Sequence, residues 1–459
     1  MKTKMLMTAA LMMTAAAAYA GDNVLPSWAL GGFVRPQGVN PLVSPIADSR
    51  FLCPMTGESV KWECADTFNP AAVVRDGQVC VLYRAEDNPD ARLGHRTSRI
   101  GLVTSKDGLR VDSRAAEPVM FPDTSLISRH FEWEGGTEDP RVVEAEVDGR
   151  PLYVMTYTAW NRYKFRLSIA TSRDLHHWTH HGPAFRLPLN GLFSDLACKS
   201  GSIVTEVRDG RLQAAKVKIN GEEKYLMYWG EEWVCAATSD DLVNWTVVTE
   251  PDGTLKYLAR PRKGYFDSRL TECGPPAVKT ADGIILLYNG KNRDGKDGDE
   301  NYPSGTYAAG QMLFSNDNPL QLLTRLDKPF FRPMADFEKS GQYKDGTVFV
   351  EGLVYHQSRW LLYYGCADSF VGVAVCDPSS TPHEGDPINL KPARSPLFGP
   401  KPKSQRGTRQ HTRHPAHRLS HRSDERGVWP SAPSAKRHAT YLPLQENVQV
   451  AGVIDGDII

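Results

Sequence analysis

The chain has no surplus of either charge. Its 54 lysines and arginines are matched by 54 aspartates and glutamates, so it lacks the basic field that a nucleic-acid partner requires. After the first twenty residues, nothing approaches the ~20 uninterrupted apolar residues of a membrane-spanning helix, and no membrane span is expected. Cysteine is sparse, with eight residues in 459, and none has zinc-site spacing. Cys80, Cys235, Cys366 and Cys376 fall in or beside apolar strand-like runs, where buried free thiols are expected. Cys53 and Cys64 form the only close pair in a loop-like region, which leaves a bridge open there. The paired histidines His176-His177 and His180-His181 lack a closed ligand set, and the acidic loop Asp294 to Asp299 fails the calcium-loop spacing. Neither a metal nor a cofactor is expected.

What is present starts with an export signal. Lys2 and Lys4 precede an Ala/Met-rich apolar run that ends in Ala18-Tyr19-Ala20, a small-x-small cleavage pattern. Residues 1–20 therefore read as a signal peptide, the mature chain is expected to start near Gly21, and the destination is the periplasm or the exterior. No cysteine follows the cleavage site to carry a lipid anchor. With 41% hydrophobic residues, the remainder has ample material for a large core. From about Asn389 the character changes: arginines, lysines and histidines crowd a Pro/Ser-rich stretch without strand pattern. Residues 389–459 read as a basic low-complexity tail, disordered or translated out of frame.

Between these ends the chain repeats itself. Five apolar runs end in a tyrosine, at Tyr83, Tyr157, Tyr228, Tyr288 and Tyr363. A short extended segment and a turn precede each run, with Asp-Gly at 76–77, 148–149, 209–210 and 282–283 and Ser358-Arg359 in the last copy. Asp-Gly between apolar runs signals a hairpin. A third strand follows each tyrosine, and two copies continue as Asp-Leu-x-x-Trp, at Asp174 to Trp178 and Asp241 to Trp245. Strands repeated five times with no helical period between them predict an all-β chain, a five-bladed β-propeller over residues 21–388 with its active site at one mouth of the central channel. A solenoid would need shorter repeats.

Within this grammar, Gly135-Gly136-Thr137-Glu138-Asp139-Pro140-Arg141 places an acid at a strand entrance. Pro140 cannot donate a ladder bond and is expected to push Asp139 toward extended geometry. Phe68-Asn69-Pro70-Ala71, Tyr83-Arg84-Ala85 with Glu86-Asp87, Glu138-Asp139-Pro140-Arg141, Gly274-Pro275-Pro276 and Tyr364-Gly365-Cys366-Ala367-Asp368 occur in this order at blade spacing. Together they resemble glycoside hydrolase family 130, five-bladed propellers that act on β-mannosides, over roughly Phe68 to Pro378. The resemblance implies that Asp139 is the general acid and that Asn69, Arg84 and Asp368 line the subsite of the transferred mannosyl unit. Asp87 and Arg141 complete the expected substrate contacts, and the partner is a mannose-containing oligosaccharide or glycan.

The departures from the family pattern direct the remaining expectations. Phosphorylases of the family carry a His-Arg-Pro type phrase after the third-blade strand, whereas this chain has Tyr228-Trp229-Gly230-Glu231-Glu232. Another acid, Glu272, stands ahead of Gly274. Carboxylates would repel phosphate and suit a water molecule. The expected activity is therefore hydrolysis of β-1,2-linked mannosides by single displacement with inversion, with Glu231 and Glu272 orienting the water and Glu232 as the substitute for Glu231. The alternatives are a β-mannoside phosphorylase releasing mannose 1-phosphate and a non-catalytic carbohydrate-binding propeller.

Overall fold

Two-residue turns fold the apolar runs back on one another. Asp76-Gly77, Asp148-Gly149 and Asp209-Gly210 all take positive φ at both positions, the type I′ geometry that matches strand twist. The fifth copy turns one residue earlier than expected, at Gln357-Ser358. The computed structural model describes residues 25–92 and 94–378; the expected signal peptide and the tail at 389–459 lie outside them. Strands dominate, and the described residues contain one short α-helix, Leu126–Phe131.

Five antiparallel meanders follow one another. The first comprises Asp66–Arg75, Gln78–Glu86, Ser98–Ser105 and Ser113–Arg114, and the second Gly136–Val147, Arg150–Trp160, Phe165–Ser172 and Thr179–Pro183. In the third, Gly201–Arg208 pairs with Glu222–Trp229, followed by Cys235–Ser239 and Thr246–Val247. Here the strand after Asp209-Gly210 is not the expected one. An extra pair, Arg211–Ala214 and Lys216–Ile219, is inserted before the chain returns to the tyrosine strand. The fourth meander is built on Ile284–Lys291, paired with Leu270–Cys273, Ala277–Lys279 and Tyr307–Phe314, the last flanked by Leu322–Arg325. The fifth holds Val348–His356, Arg359–Cys366 and Phe370–Cys376. Its outer edge is covered by the N-terminal segment through bridges Val34 to Val375 and Val43 to Val371.

Strands buried on both faces lose the period-2 pattern, as Asp66–Arg75 does along nearly its whole length. The second face goes to the next meander. Apolar clusters join Leu82 to Met155, Val154 to Met227, Leu226 to Ile284, Leu287 to Leu362, and Leu361 back to Val81. All five repeat tyrosines are at most 1% exposed, and their hydroxyls are satisfied by Glu63, Glu132, Pro319, Asp267 and Gly108 respectively. Ala72, Val142, Thr205, Pro276 and Leu353, one from each meander, line a common gap, so the first strands converge. None of the eight cysteines is in a disulfide, so no bridge joins Cys53 to Cys64. Among the described residues no helix is long and apolar enough to cross a membrane.

Candidate active site

Irregularities in the converging strands aim the site's side chains. In the first meander the register shifts between Phe68 and Pro70, and in the second between Glu138 and Arg141. A bulge places extra residues opposite one partner and re-aims a side chain. Asn69, Asp139 and Asp368 have φ of 45°, 47° and 52°, a left-handed conformation that costs a non-glycine residue of order 1 kcal/mol or more and persists where its surroundings enforce it. This corrects two expectations about Asp139: it is left-handed rather than extended, and it lies at a bulge inside Gly136–Val147 rather than at the strand entrance. The bulge is compatible with Pro140 because no ladder bond is required there. Gly365 leaves room for this arrangement, since a Cβ there would stand 2.2 Å from Asn69 Oδ1.

Around these bulges the ion pairs form one buried network. Asp139 Oδ1 accepts from Asn69 Nδ2 at 2.9 Å and from Arg84 Nη1 at 3.1 Å. Arg84 also donates through Nη2 to Glu86 at 2.7 Å and to Glu138 at 3.0 Å, and through Nε to Ser98 Oγ. Burial would push Asp139 up, but Arg84, Lys199 and Asn69 hold it below the ordinary carboxylate range. Burial prevails at Glu138, which is pushed up to about 7, with Arg84 opposing and Asp139 adding to the shift. Asp368 is also raised by burial to about 7, against the pull of Arg84. Two neighbouring acids thus separate into an ionised Asp139 and a proton-holding Glu138.

On the other side of the cluster stands Lys199, a residue that no sequence motif marks. Its Nζ lies 3.4 Å from Glu231 Oε1 and 3.5 Å from Glu272 Oε1. Burial lowers its pKa, but the surrounding carboxylates, Glu231 first, raise it more and keep it charged. Glu272 is 1% exposed and accepts from Ser200 Oγ at 2.5 Å. Burial pushes it up to about 7 in spite of Lys199. Glu231 remains a third exposed at its side chain. The Tyr307 hydroxyl is raised by burial and further by the nearby charges of Glu272, Glu231 and Asp368.

Asn69, Arg84, Asp139, Glu231, Glu272 and Asp368 are therefore gathered around one cluster. Two other expected contacts are not part of its open side. Asp87 turns away, binding Arg99 Nη1 at 2.7 Å and the Thr97 amide at 2.9 Å. Arg141 lies beneath the cluster, 2% exposed, and donates to the carbonyls of Asp139, Cys273 and Gly274 at 2.9–3.0 Å. It supports the site from below rather than presenting a guanidinium to a sugar. Glu232 pairs with Arg269 at the rim, 2.9 Å away.

Carboxyl groups of divergent proton affinity, packed with asparagine, arginine and lysine where strands converge, are the equipment of an enzyme acting on glycosidic bonds. The chain belongs to glycoside hydrolase family 130: the family model described as β-1,4-mannooligosaccharide phosphorylase matches residues 44–379. A 1,2-β-oligomannan phosphorylase of Thermoanaerobacter sp. (strain X514) is 32% identical over 324 residues, 69% of this chain and 92% of that protein. A β-1,2-mannobiose phosphorylase of the same organism is 27% identical over 348 residues, 73% of this chain and 95% of that protein. A solved structure described under glycoside hydrolases of this phosphorylase family that target β-1,2-mannosidic linkages in Candida mannan is 56% identical. It has a TM-score of 0.75 and covers 80% of this chain and 99% of its own.

The hydrolytic reading is overturned by the curated relatives, which are phosphorylases. Its physical premise also fails in one respect. A bare acidic pair at Glu231 and Glu272 would repel anions, whereas Lys199 stands between the two and Glu272 takes up a proton near neutrality.

Proposed function

We propose that this protein is a five-bladed β-propeller that cleaves β-1,2-linked mannosides with inorganic phosphate and releases mannose 1-phosphate. Lys199 carries the reading: it is a buried charged amine inside the acid cluster, adjacent to an acid that titrates near 7. Phosphate is stabilised there by charge-assisted hydrogen bonds from Lys199 and by the proton of Glu272. Asn69, Arg84 and Asp368 hold the hydroxyls of the transferred sugar. When these hydroxyls take over the contacts that Arg84 and Asn69 make with Asp139, the proton held on Glu138 becomes available to Asp139 and then to the departing glycosidic oxygen. A phosphate oxygen bonds to the anomeric carbon as the glycosidic bond breaks. Export to the periplasm or beyond belongs to the same proposal and is supported by the leader pattern at 1–20.

The test is the product from β-1,2-mannobiose with and without phosphate. Phosphate-dependent mannose 1-phosphate is expected, and Lys199→Met should raise the KM for phosphate by about tenfold or more, the cost of losing a charge-assisted contact. Free mannose formed at one rate whether or not phosphate is present would overturn the proposal.

A further inference from the structure

The first strands of the meanders can be aligned on their tyrosines. Pro70 faces Tyr83 and Gly352 faces Tyr363, each just past a register shift. In the second meander the residues passed over at the shift, opposite Tyr157, are Asp139 and Pro140. The residue that ends up at the bulge is Asn69 in the first meander, Asp139 in the second and Glu351 in the fifth. Asn69 and Asp139 belong to the acid cluster. Glu351 has had no role so far, although it is a fully buried carboxyl, 0% exposed.

Arg141 is in contact with it, Nη2 standing 3.0 Å from Glu351 Oε1. Both carboxyl oxygens lack a hydrogen-bond partner of acceptable geometry among the described residues, so the contact is a close approach of carboxyl and guanidinium rather than an aligned hydrogen bond. Arg141 in turn donates to the carbonyl of Asp139 at 3.0 Å, of Cys273 at 2.9 Å and of Gly274 at 2.9 Å. Asp139 carries the proton-donating side of the site, and Cys273 follows directly on Glu272. One guanidinium thus ties the second meander to the fourth at the residues that bear the two halves of the chemistry, and Glu351 fixes it from the fifth. Next to Glu351 the fourth and fifth meanders are joined by Asn289, which accepts from the Val350 amide at 2.8 Å and donates to the Val350 carbonyl at 3.1 Å. Burial holds the Glu351 carboxyl well above the usual carboxylate range against the pull of Arg141; of the cluster, Asp139 and Glu272 add to the shift and Lys199 opposes it.

We infer that Glu351 is a positioning residue for glycosidic cleavage: through Arg141 it sets the placement of Asp139 relative to Glu272. The inference rests on the proposed site but not on the identity of the acceptor. A carboxyl group held under a guanidinium by burial gains nothing for binding at the mouth, so its loss should act on the reaction step. A displacement of the reacting groups by about 1 Å costs on the order of 100-fold in rate.

The experiment measures total cleavage of β-1,2-mannobiose, counting mannose 1-phosphate and free mannose together, so that the outcome does not depend on which acceptor the enzyme uses. Glu351→Ala is expected to lower kcat by about 100-fold with KM for the mannoside within about threefold. Glu351→Gln, which keeps the shape and an oxygen acceptor for Arg141, should recover most of kcat. Circular dichroism and Tm confirm that each variant is folded. If folded Glu351→Ala keeps wild-type kcat, or if its loss appears in KM alone, the inference is wrong. If Glu351→Ala does not fold, Glu351→Gln decides: its kcat should stay near wild type, with KM for the mannoside unchanged. A folded Glu351→Gln with kcat lowered as far as that of Arg141→Ala would overturn the positioning role.

Discussion

At the scale of single residues, the site depends on which carboxyl groups hold protons. Glu138, Glu272 and Asp368 are each raised to about 7 by burial, whereas Asp139 is held low by Arg84. For the raised acids the folded state binds protons more tightly than the unfolded chain. Their contribution to stability is therefore complete below the ordinary carboxylate range and is lost as pH climbs through about 7. The substrate-free protein should accordingly melt at a lower temperature at about pH 8.5 than at about pH 5.5, with Glu272→Gln flattening the slope. A Tm that rises across this window would show that these acids are ionised in the resting protein. Catalysis carries a matching sign. With phosphate as acceptor and Glu272 as its proton donor, phosphorolysis should decline above about pH 7, and in Glu272→Gln that decline should become shallower, the loss of the Glu138 proton remaining.

At the scale of elements, the same local devices recur where the chain must turn or bulge. In Ser172-Arg173-Asp174-Leu175 the serine hydroxyl and the aspartate carboxylate bind the following amides, Leu175 takes φ 68°, and Trp178 Nε1 closes on the Leu175 carbonyl. Ser239 to Trp245 repeats the pattern, with Leu242 at φ 67°. The sequence phrase Asp-Leu-x-x-Trp is thus a turn that packs a tryptophan against the core, fully buried at Trp245 and partly at Trp178. Gly136, ahead of Asp139, has φ 112°, and a Cβ there would lie 2.1 Å from the Ser98 carbonyl oxygen, on the bridge joining the first two meanders. Gly136→Ala should cost at least about 2 kcal/mol, through both strain and overlap. It should also lower cleavage, because the Glu138-Asp139 bulge follows directly. An unchanged melting curve would refute this account of the glycine.

At the scale of the whole molecule, the fifth meander has three strands of its own, and the N-terminal segment covers its free edge. Besides the bridges at Val34 and Val43, Asn40 exchanges two hydrogen bonds of 2.8 Å with Val373. Arg35 reaches Glu338 at 2.5 Å and lies over the Phe331 ring. An edge strand left bare exposes unpaired backbone and the apolar layer behind it. Deleting residues 25–45 should lower Tm by about 5 °C or more. A melt that matches the full chain would show that the segment only decorates the edge.

The sequence alone carried the strand content, the five tyrosines, the turns and six of the clustered site residues, because each depends on a local pattern of two to six residues. Asn69-Pro70, Asp139-Pro140 and Gly365 with Asp368 are legible for that reason, and so is their order along the chain. Which of the polar residues face one another was not legible. Lys199 precedes a strand without a motif of its own, Glu351 stands one residue before the segment that aligned, and Arg141 sits in the most recognisable phrase yet points beneath the site. Their roles come from contacts between meanders tens to hundreds of residues apart. Only the packed structure decides whether a carboxylate meets water, a lysine or an arginine, because in a buried cluster that neighbour sets its charge.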